Sequence, residues 1–200
     1  MKTLKKGCIG YDVKVLQRML HLIDDGVFGP ITEEAVMMFQ HEHGLTVDGI
    51  VGPKTWNALA PAATLPKSRR KITEIIVHCT ATAIGKDWHV EDIIRWHKAR
   101  GFKTIGYHYV IYLDGSVHEG RDINLVGAHC TGHNAHSIGV CYVGGCAKDG
   151  LTPMDTRTPE QKESLRKLVA ALQKIYPGAT VHGHYEFAAK ACPSFKIKDL

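Results

Sequence analysis

Two histidines and a cysteine lie close together near the end of the chain, and together they could bind a metal ion. Residues 181–195 read VHGHYEFAAKACPSF. Imidazole nitrogen and thiolate sulfur are the ligand atoms that zinc prefers in proteins. If a strand ends at the start of this segment, His182 and His184 point to the same face, because side chains alternate along a strand. The proline after Cys192 restricts the backbone there, so a stiff segment would present the thiol.

A third ligand would have to come from another part of the chain, and His78 is the candidate. It directly follows the apolar run 75–77, which predicts a buried strand. A histidine at the end of such a strand is commonly a core residue, but a strand end also holds a ligand more rigidly than a loop tip. By itself, the segment 181–195 equally fits a surface loop with scattered histidines and an inert buried cysteine. The residue types alone do not decide between His182 and His184.

The composition fits a globular protein of one or two domains. The chain has 200 residues, of which 44% are hydrophobic. No apolar run reaches the roughly 20 residues of a membrane helix, so we expect no membrane insertion. The N-terminus lacks the apolar segment of a signal peptide, which predicts synthesis in the cytoplasm without a signal peptide. In that reducing compartment the six cysteines would be free thiols or metal ligands.

The net charge of +5 is unevenly distributed along the chain. Residues 1–60 have a net charge of about −1, and the remainder has a net charge of about +6. An excess of positive charge could favour a polyanion such as nucleic acid or an anionic cell wall, and an ordinary solvated surface explains it equally well. Nothing in the sequence resembles a nucleic-acid-binding motif, so we expect no nucleic acid partner.

An internal repeat organises the first 60 residues. The segment 25–32 (DGVFGPIT) recurs 23 positions later as 48–55 (DGIVGPKT). In each copy the Asp-Gly and Gly-Pro pairs predict turns. Thr32 and Thr55 are placed to cap the helices that follow. The repeat therefore indicates a common architecture, without by itself indicating a binding site.

Three short helices are predicted around these turns, over residues 11–21, 32–43 and 55–60. The second helix presents an apolar stripe of Ala35, Met38 and Phe39. This part of the chain resembles the peptidoglycan-binding type 1 domain, and the shared motifs are DVKVLQ at 12–17, FQ at 39–40, GLTVDG at 44–49 and TW at 55–56. The resemblance implies a small all-α three-helix domain over residues 1–60 that holds the chain on cell-wall polymer.

A different organisation begins after a linker. Residues 61–71 contain two prolines and have four basic residues within their last five positions, a composition typical of a linker. Over residues 72–200, strands alternate with helices. The predicted strands are 72–79, 106–112, 116–119, 137–143 and 179–183, and the predicted helices are 89–100 and 158–176. Strands interleaved with helices predict a central mixed β-sheet covered by helices.

Residues 72–198 resemble the N-acetylmuramoyl-L-alanine amidases of the type 2 family, in particular the T7-lysozyme branch. The shared motifs are IVHCTAT at 76–82, GYHY at 106–109, GAH at 127–129, Asn134, SIGV at 137–140, GG at 144–145, HYE at 184–186 and KACPSF at 190–195. The resemblance implies an α/β fold with a central mixed sheet flanked by helices. Peptidoglycan recognition proteins share that fold.

The resemblance implies that His78, His184 and Cys192 bind zinc, and that Tyr107 and Lys190 are the remaining catalytic residues. Three protein ligands leave a fourth tetrahedral position for water, as in catalytic sites. The implied reaction is hydrolysis of the amide between N-acetylmuramic acid and the L-alanine of the stem peptide. Lys190 would stabilise the charge developing on the carbonyl oxygen, and Tyr107 would hydrogen-bond that oxygen or the water. Without the resemblance, we would interpret Tyr107 as a core aromatic residue and Lys190 as a solvated lysine.

Three further histidines, His129, His133 and His136, are interpreted as loop residues or as supports for a metal ligand. The chain also fits a non-catalytic peptidoglycan-binding receptor of the same fold, although such receptors typically lack the cysteine. A hydrolase of soluble wall fragments is a third interpretation, but such an enzyme needs no wall-binding domain. The favoured interpretation is a monomeric endolysin or autolysin whose partner is bacterial peptidoglycan, reached after release from the cytoplasm.

Overall fold

Three helices build the described part of the first of two units, residues 1–64 and Leu65–Leu200, into which the chain divides. The computed structural model describes residues 3–59 and 65–200. The helices are α1 (Tyr11–Met19), α2 (Pro30–Glu42) and α3 (Pro53–Leu59). Their core consists of Leu4, Val13, Leu16, Phe28, Val36, Val51, Trp56 and Leu59. The predicted all-α domain is confirmed.

A buried glutamine holds the first copy of the repeated turn. The side-chain amide of Gln17 donates to the Asp25 carboxylate at 2.8 Å, the Val27 carbonyl at 3.1 Å and the Thr32 hydroxyl at 3.1 Å. Its carbonyl oxygen accepts the Gly26 amide at 2.9 Å. One side chain on α1 therefore binds both ends of the turn that leads into α2.

The second copy repeats this network atom for atom. Gln40 donates to the Asp48 carboxylate at 2.9 Å, the Ile50 carbonyl at 2.9 Å and the Thr55 hydroxyl at 3.2 Å, and it accepts the Gly49 amide at 3.0 Å. Gln40 lies 23 positions after the equivalent residue of the first copy. The sequence repeat is thus the repeat of a buried hydrogen-bond network, in which every buried polar group has a partner.

The network corrects two details of the sequence analysis. α2 begins at Pro30 after Gly29, two residues earlier than predicted, so Thr32 does not cap the helix. Its hydroxyl instead lies inside the first turn and donates to the Val27 carbonyl at 3.4 Å. The predicted stripe is also displaced, because Met38 is 60% exposed. The buried face of α2 is Thr32, Val36 and Gln40.

A five-stranded sheet forms the centre of the second unit. The strands of this unit are β1 (Glu74–Cys79), β2 (Thr82–Ala83), β3 (Tyr109–Ile111), β4 (Val117–Glu119), β5 (Ser137–Tyr142), β6 (Gly145–Cys146) and β7 (Thr180–Gly183). The main sheet has the order β4-β3-β5-β1-β7, and β2 pairs with β6 beside it. β1 is parallel to both β5 and β7, β3 is parallel to β5, and β4 is antiparallel to β3. The predicted mixed sheet is confirmed.

Two helices flank this sheet, α4 (Val90–Ala99) and α5 (Pro159–Ile175). α5 starts at a capping box, in which the Gln161 amide donates to the Thr158 hydroxyl and the Gln161 side chain accepts the Thr158 amide. Its apolar side packs on one face of the sheet and forms the main core with Ile75 and Val77. No helix in the described ranges 3–59 and 65–200 is both long and apolar enough to cross a membrane.

The second half of the segment 61–71 packs on the second unit. The Ser68 amide donates to the Tyr176 hydroxyl at 2.6 Å. The guanidinium of Arg70 donates to the carbonyls of Ile123 and Ser137 at 3.0 and 3.2 Å. These contacts tie the entry of the chain to the loops that surround β5.

We expect Gln40→Ala to lower the free energy of unfolding of the first unit by about 2 kcal/mol, because the buried Gly49 amide loses its acceptor. Met38→Ala shortens an exposed side chain of the same helix and should change that free energy by less than about 0.5 kcal/mol. Hydrogen exchange of peptides from residues 3–59 in increasing urea measures both variants. Equal protection in Gln40→Ala and the unmodified chain would contradict the role of the network.

Candidate metal centre and active site

The centre of the site lies where two neighbouring parallel strands end. His78 is the fifth residue of β1, and His184 follows the last residue of β7. Because β1 and β7 are parallel, both histidines reach the same edge of the sheet. Their rings lie 4.6 Å apart between centroids. The sheet therefore brings together two of the residues that the resemblance implied.

Cys192 completes this group from the following loop. The Tyr185 amide donates to the Cys192 carbonyl at 2.8 Å and closes the loop on itself. The Cys79 amide donates to the Cys192 sulfur at 3.3 Å. The ligand atoms of His78, His184 and Cys192 all lie within 4.8 Å of one another. The three predicted ligands thus converge on one point.

The donor set and its spacing fit a zinc ion. The Cys192 Sγ lies 3.8 Å from His78 Nδ1. With ordinary zinc bond lengths, a tetrahedral site places a nitrogen and a sulfur ligand about 3.6 Å apart. Two imidazoles and a thiolate are the soft and borderline donors that zinc selects. The fit therefore rests on both chemistry and distance.

The electrostatics of the two imidazoles suit a metal ligand. Burial lowers the pKa of His78 well below its usual value, and the charges of His129, His184 and Lys190 lower it further. Burial also lowers the pKa of His184, and the charge of Lys190 adds to this effect. Both imidazoles are therefore neutral near pH 7, which is the form that binds a metal.

Two thiols share one hydrogen bond beside these imidazoles. The bond to Cys192 lowers the pKa of Cys79 to about 7. The same bond and burial raise the pKa of Cys192 well above its usual value. Only Cys192 converges with the histidines, so a bound cation would favour the thiolate on Cys192. Cys79 itself is part of the main core, against which Cys192 packs.

His182 stays outside the group that His184 joins. Its Nδ1 lies 2.8 Å from a Glu186 carboxylate oxygen, and its Nε2 lies 2.8 Å from the Thr180 hydroxyl. The expected alternation of His182 and His184 on one strand face is wrong. The strand ends at Gly183, and His184 begins a 3₁₀ turn, His184–Glu186, so strand periodicity no longer applies.

Tyr107 packs between His78 of the candidate centre and His97 of α4. Its ring centroid lies 5.1 Å from that of His78 and 5.3 Å from that of His97 on α4. Burial raises the pKa of the Tyr107 hydroxyl well above its usual value. The hydroxyl therefore remains protonated near neutral pH and can act as a hydrogen-bond donor.

Lys190 supplies a positive charge at the mouth of the site. Its side chain is exposed. Its charge lowers the pKa of both His78 and His184, by less than burial does. The backbone turns sharply just before it, since the Lys190 amide donates to the Ala188 carbonyl at 2.7 Å. The loop thus carries a cation and a thiol two residues apart.

His129 contacts the candidate ligand His78 directly, whereas the sequence indicated only a loop residue or a support for a ligand. His129 Nδ1 lies 3.0 Å from His78 Nε2. Because His78 Nδ1 faces the ligand group, its Nε2 must carry the proton and donate to His129. A Cβ on Gly139 would come within 2.6 Å of the His129 ring. The glycine of the SIGV motif is the signal that could have indicated this packing.

A groove opens beyond the end of β1. It has a volume of about 490 Å³ and is lined by residues that include Thr80, Lys86, Trp88, Trp96 and Lys148. The two tryptophan rings meet edge to face at 5.9 Å, and the ammonium of Lys86 lies 4.9 Å from the Trp88 centroid. The groove therefore offers aromatic surface and positive charge, and its first lining residue, Thr80, comes two positions after His78 in the chain.

Comparisons with known proteins agree with this geometry. The endolysin of Escherichia phage T7 is 45% identical over 132 residues, which cover 66% of this chain and 87% of the endolysin. The solved endolysin amidase LysCS from Clostridium intestinale is 30% identical with a TM-score of 0.53, covering 65% of this chain and 80% of that chain. Drosophila PGRP-LB shares the fold, with 24% identity and a TM-score of 0.52 over 64% of this chain and 78% of that chain.

The family comparison covers both units. Residues 10–59 match a peptidoglycan binding domain, and residues 68–195 match the N-acetylmuramoyl-L-alanine amidase family. The second match spans more than half of the chain and contains His78, Tyr107, His184, Lys190 and Cys192. The chain therefore belongs to the N-acetylmuramoyl-L-alanine amidase family and carries a peptidoglycan-binding domain ahead of its amidase domain.

Proposed function

We propose that this protein is a zinc-dependent peptidoglycan hydrolase that cleaves the amide between N-acetylmuramic acid and the L-alanine of the stem peptide. His78, His184 and Cys192 are its zinc ligands. The observation that carries this proposal is the convergence of two neutral imidazoles and one thiol within 4.8 Å at the end of a parallel strand pair. Family membership supplies the reaction class.

The residues of the chain divide the work around the scissile amide. A zinc ion held by the three ligands would act as a Lewis acid, which activates water and polarises the amide carbonyl. Lys190 stabilises the negative charge that develops on the carbonyl oxygen. The Tyr107 hydroxyl donates a hydrogen bond to the same oxygen, because its raised pKa keeps the hydroxyl protonated. His129 holds the His78 ring in the tautomer that leaves Nδ1 free.

The groove and the first unit both support a polymeric substrate. The tryptophans and lysines of the groove offer stacking surface and cations to sugar rings and peptide carboxylates. The peptidoglycan-binding domain would raise the local concentration of substrate at the amidase domain. A monomeric endolysin made in the cytoplasm and acting on the wall after release fits this arrangement, since the T7 relative is an endolysin.

The alternative function is a receptor that binds peptidoglycan without cleaving it, because a peptidoglycan recognition protein shares the fold. The presence of Cys192 in the ligand group favours the enzyme, since a His₂Cys set with an open position is a catalytic type of zinc site. The two functions differ in one product, a stem peptide with a free N-terminal alanine.

Purified sacculi incubated with the protein should release stem peptides with a free N-terminal L-alanine and should show no new reducing sugar ends. Mass spectrometry identifies the peptides, and a reducing-sugar assay tests for glycan cleavage. A zinc chelator should abolish the release, and added zinc should restore it, because the Lewis acid is required. Tight binding to sacculi with no released peptide would establish the receptor instead.

Replacing a ligand should remove the metal together with the activity. We expect cobalt-substituted Cys192→Ala to lack the thiolate-to-cobalt charge-transfer band. The same variant supplied with zinc should lack activity. We expect its zinc affinity at this site to fall by more than about 100-fold, since outer partners alone contribute 10- to 100-fold.

The two neighbouring histidines provide a matched comparison for this site. His184→Ala should behave like Cys192→Ala, whereas His182→Ala should keep the cobalt band, because His182 binds Glu186 and Thr180 instead. Full activity and an unchanged band in Cys192→Ala would overturn the ligand assignment. Loss of the band in His182→Ala but not in His184→Ala would assign the ligand to His182 instead of His184.

Removing the cation at the mouth of the site should slow the reaction without releasing the metal. We expect Lys190→Met to lower kcat by about 100- to 1,000-fold, because a donor aimed at the developing oxyanion contributes about that factor. The cobalt spectrum should stay unchanged. Lys198→Met, which removes another exposed lysine of the same segment, is the control and should keep kcat within about twofold. An increase in KM with unchanged kcat would indicate that Lys190 only binds the substrate.

A further inference from the structure

A second group of metal-binding side chains lies at the opposite end of β1. Glu74, His133 and His136 each place one ligand atom within 4.8 Å of the others. His133 Nδ1 lies 2.9 Å and His136 Nε2 lies 3.4 Å from the same oxygen, Glu74 Oε2. Two imidazole nitrogens from one loop thus point at one carboxylate oxygen from a strand.

We propose that Glu74, His133 and His136 form a second site for a divalent transition metal ion of the zinc, cobalt and nickel class. With bond lengths of about 2.0–2.1 Å, two ligand atoms of a tetrahedral site lie about 3.3 Å apart. The two distances of 2.9 and 3.4 Å bracket that value. Small adjustments of a few tenths of an ångström would open the group around an ion.

The surrounding contacts hold these side chains in place. The His133 ring stacks on Phe187 at 3.8 Å between centroids. The Ser137 hydroxyl donates to the His133 carbonyl at 2.7 Å. The His136 carbonyl accepts the amides of Thr73 and Glu74 at 2.9 and 3.3 Å. The ligand geometry is therefore built by the backbone of the loop and of β1, which reduces the entropy lost on binding.

The donor types select the class of metal. Two imidazole nitrogens and one carboxylate oxygen suit zinc and its neighbours, whereas calcium and magnesium prefer oxygen ligands alone. The side chains of Glu74, His133 and His136 are 17%, 26% and 39% exposed. The group is therefore open to solvent, so a water molecule can fill the remaining coordination position.

This second group is distinct from the amidase centre. Glu74 and His78 lie on the same face of β1, four residues apart, which corresponds to roughly 13 Å. The two groups share no residue among those described. The loop that carries His133 and His136 begins at His129, which contacts His78. An ion in the second group would consequently fix the loop that supports the first, without taking part in the reaction.

The test uses the full chain already loaded with one equivalent of zinc. Titration with Co²⁺ should show one further equivalent, whose spectrum has no thiolate charge-transfer band because this group lacks sulfur. Titration with Zn²⁺ should compete for the same equivalent. At about 100 times the dissociation constant, the midpoint of thermal unfolding of the second unit should rise by roughly 5–10 °C.

His136→Ala should abolish the second equivalent and the rise in the unfolding midpoint, while the first equivalent of zinc stays bound at the amidase centre. Glu74→Gln keeps the shape of the side chain and removes the anionic ligand of this group. It should therefore lower the affinity for the second equivalent of metal by about tenfold or more. His182→Ala is the matched control, because His182 is a half-buried histidine that pairs with Glu186 and also contacts Phe187. It should keep both equivalents.

Binding of a single equivalent by the unmodified chain would overturn the second site. Retention of the second equivalent in both His136→Ala and Glu74→Gln would overturn it as well. These outcomes are separate from the proposed function, because the amidase reaction and the thiolate band report only on the first site.

Discussion

The pairing of β1 between two parallel partners is the constraint on which the amidase site depends. Val77 lies opposite Val140 on one side and Gly183 on the other, so the next residue of β1 and the next residue after β7 meet at one edge. A slip of one residue would move a ligand by about 3.3 Å, as far as the spacing between ligand atoms. The burial of both faces of β1, with Ile75, Ile76 and Val77 fully inaccessible, prevents such a slip.

The loop that carries the thiol is held by the same strand ends. The Tyr142 hydroxyl, at the end of β5, donates to the Pro193 carbonyl at 2.7 Å. The Ser194 hydroxyl donates to the Gly145 carbonyl at 2.7 Å. With the Cys79 amide on the Cys192 sulfur, three strands thus hold Cys192 and the two residues after it, in addition to the hydrogen bond within the loop. Rigid placement of this kind is what a catalytic metal site requires of its ligands.

Local patterns were sufficient to predict the helices and the five strands of the main sheet, whereas the short pair β2 and β6 was not predicted. Tertiary contacts account for much of what the patterns missed. The apolar run before His78 and the capping residues around Thr158 each act through neighbours in sequence, so strand and helix were both predictable. The choice of His184 depended on where β7 ends, which strand periodicity cannot show. Gln40 was missed as a core residue because its partners lie in a turn eight to fifteen positions away. In the second group, Glu74 lies 59 and 62 positions before His133 and His136. Only the fold reveals that these residues meet.

The fold by itself does not distinguish an enzyme from a receptor, because the Drosophila peptidoglycan recognition protein SD has it as well. The distinction lies in the donors at the strand ends. In the proposed function, two neutral imidazoles and the partly buried Cys192 thiolate would hold a borderline metal ion, and the charge of Lys190 would act beside it. The group of Glu74, His133 and His136 at the other end of β1 is partly exposed and contains neither a thiol nor a lysine. One rigid strand therefore presents two donor sets, and only the buried one has the surroundings that amide hydrolysis requires.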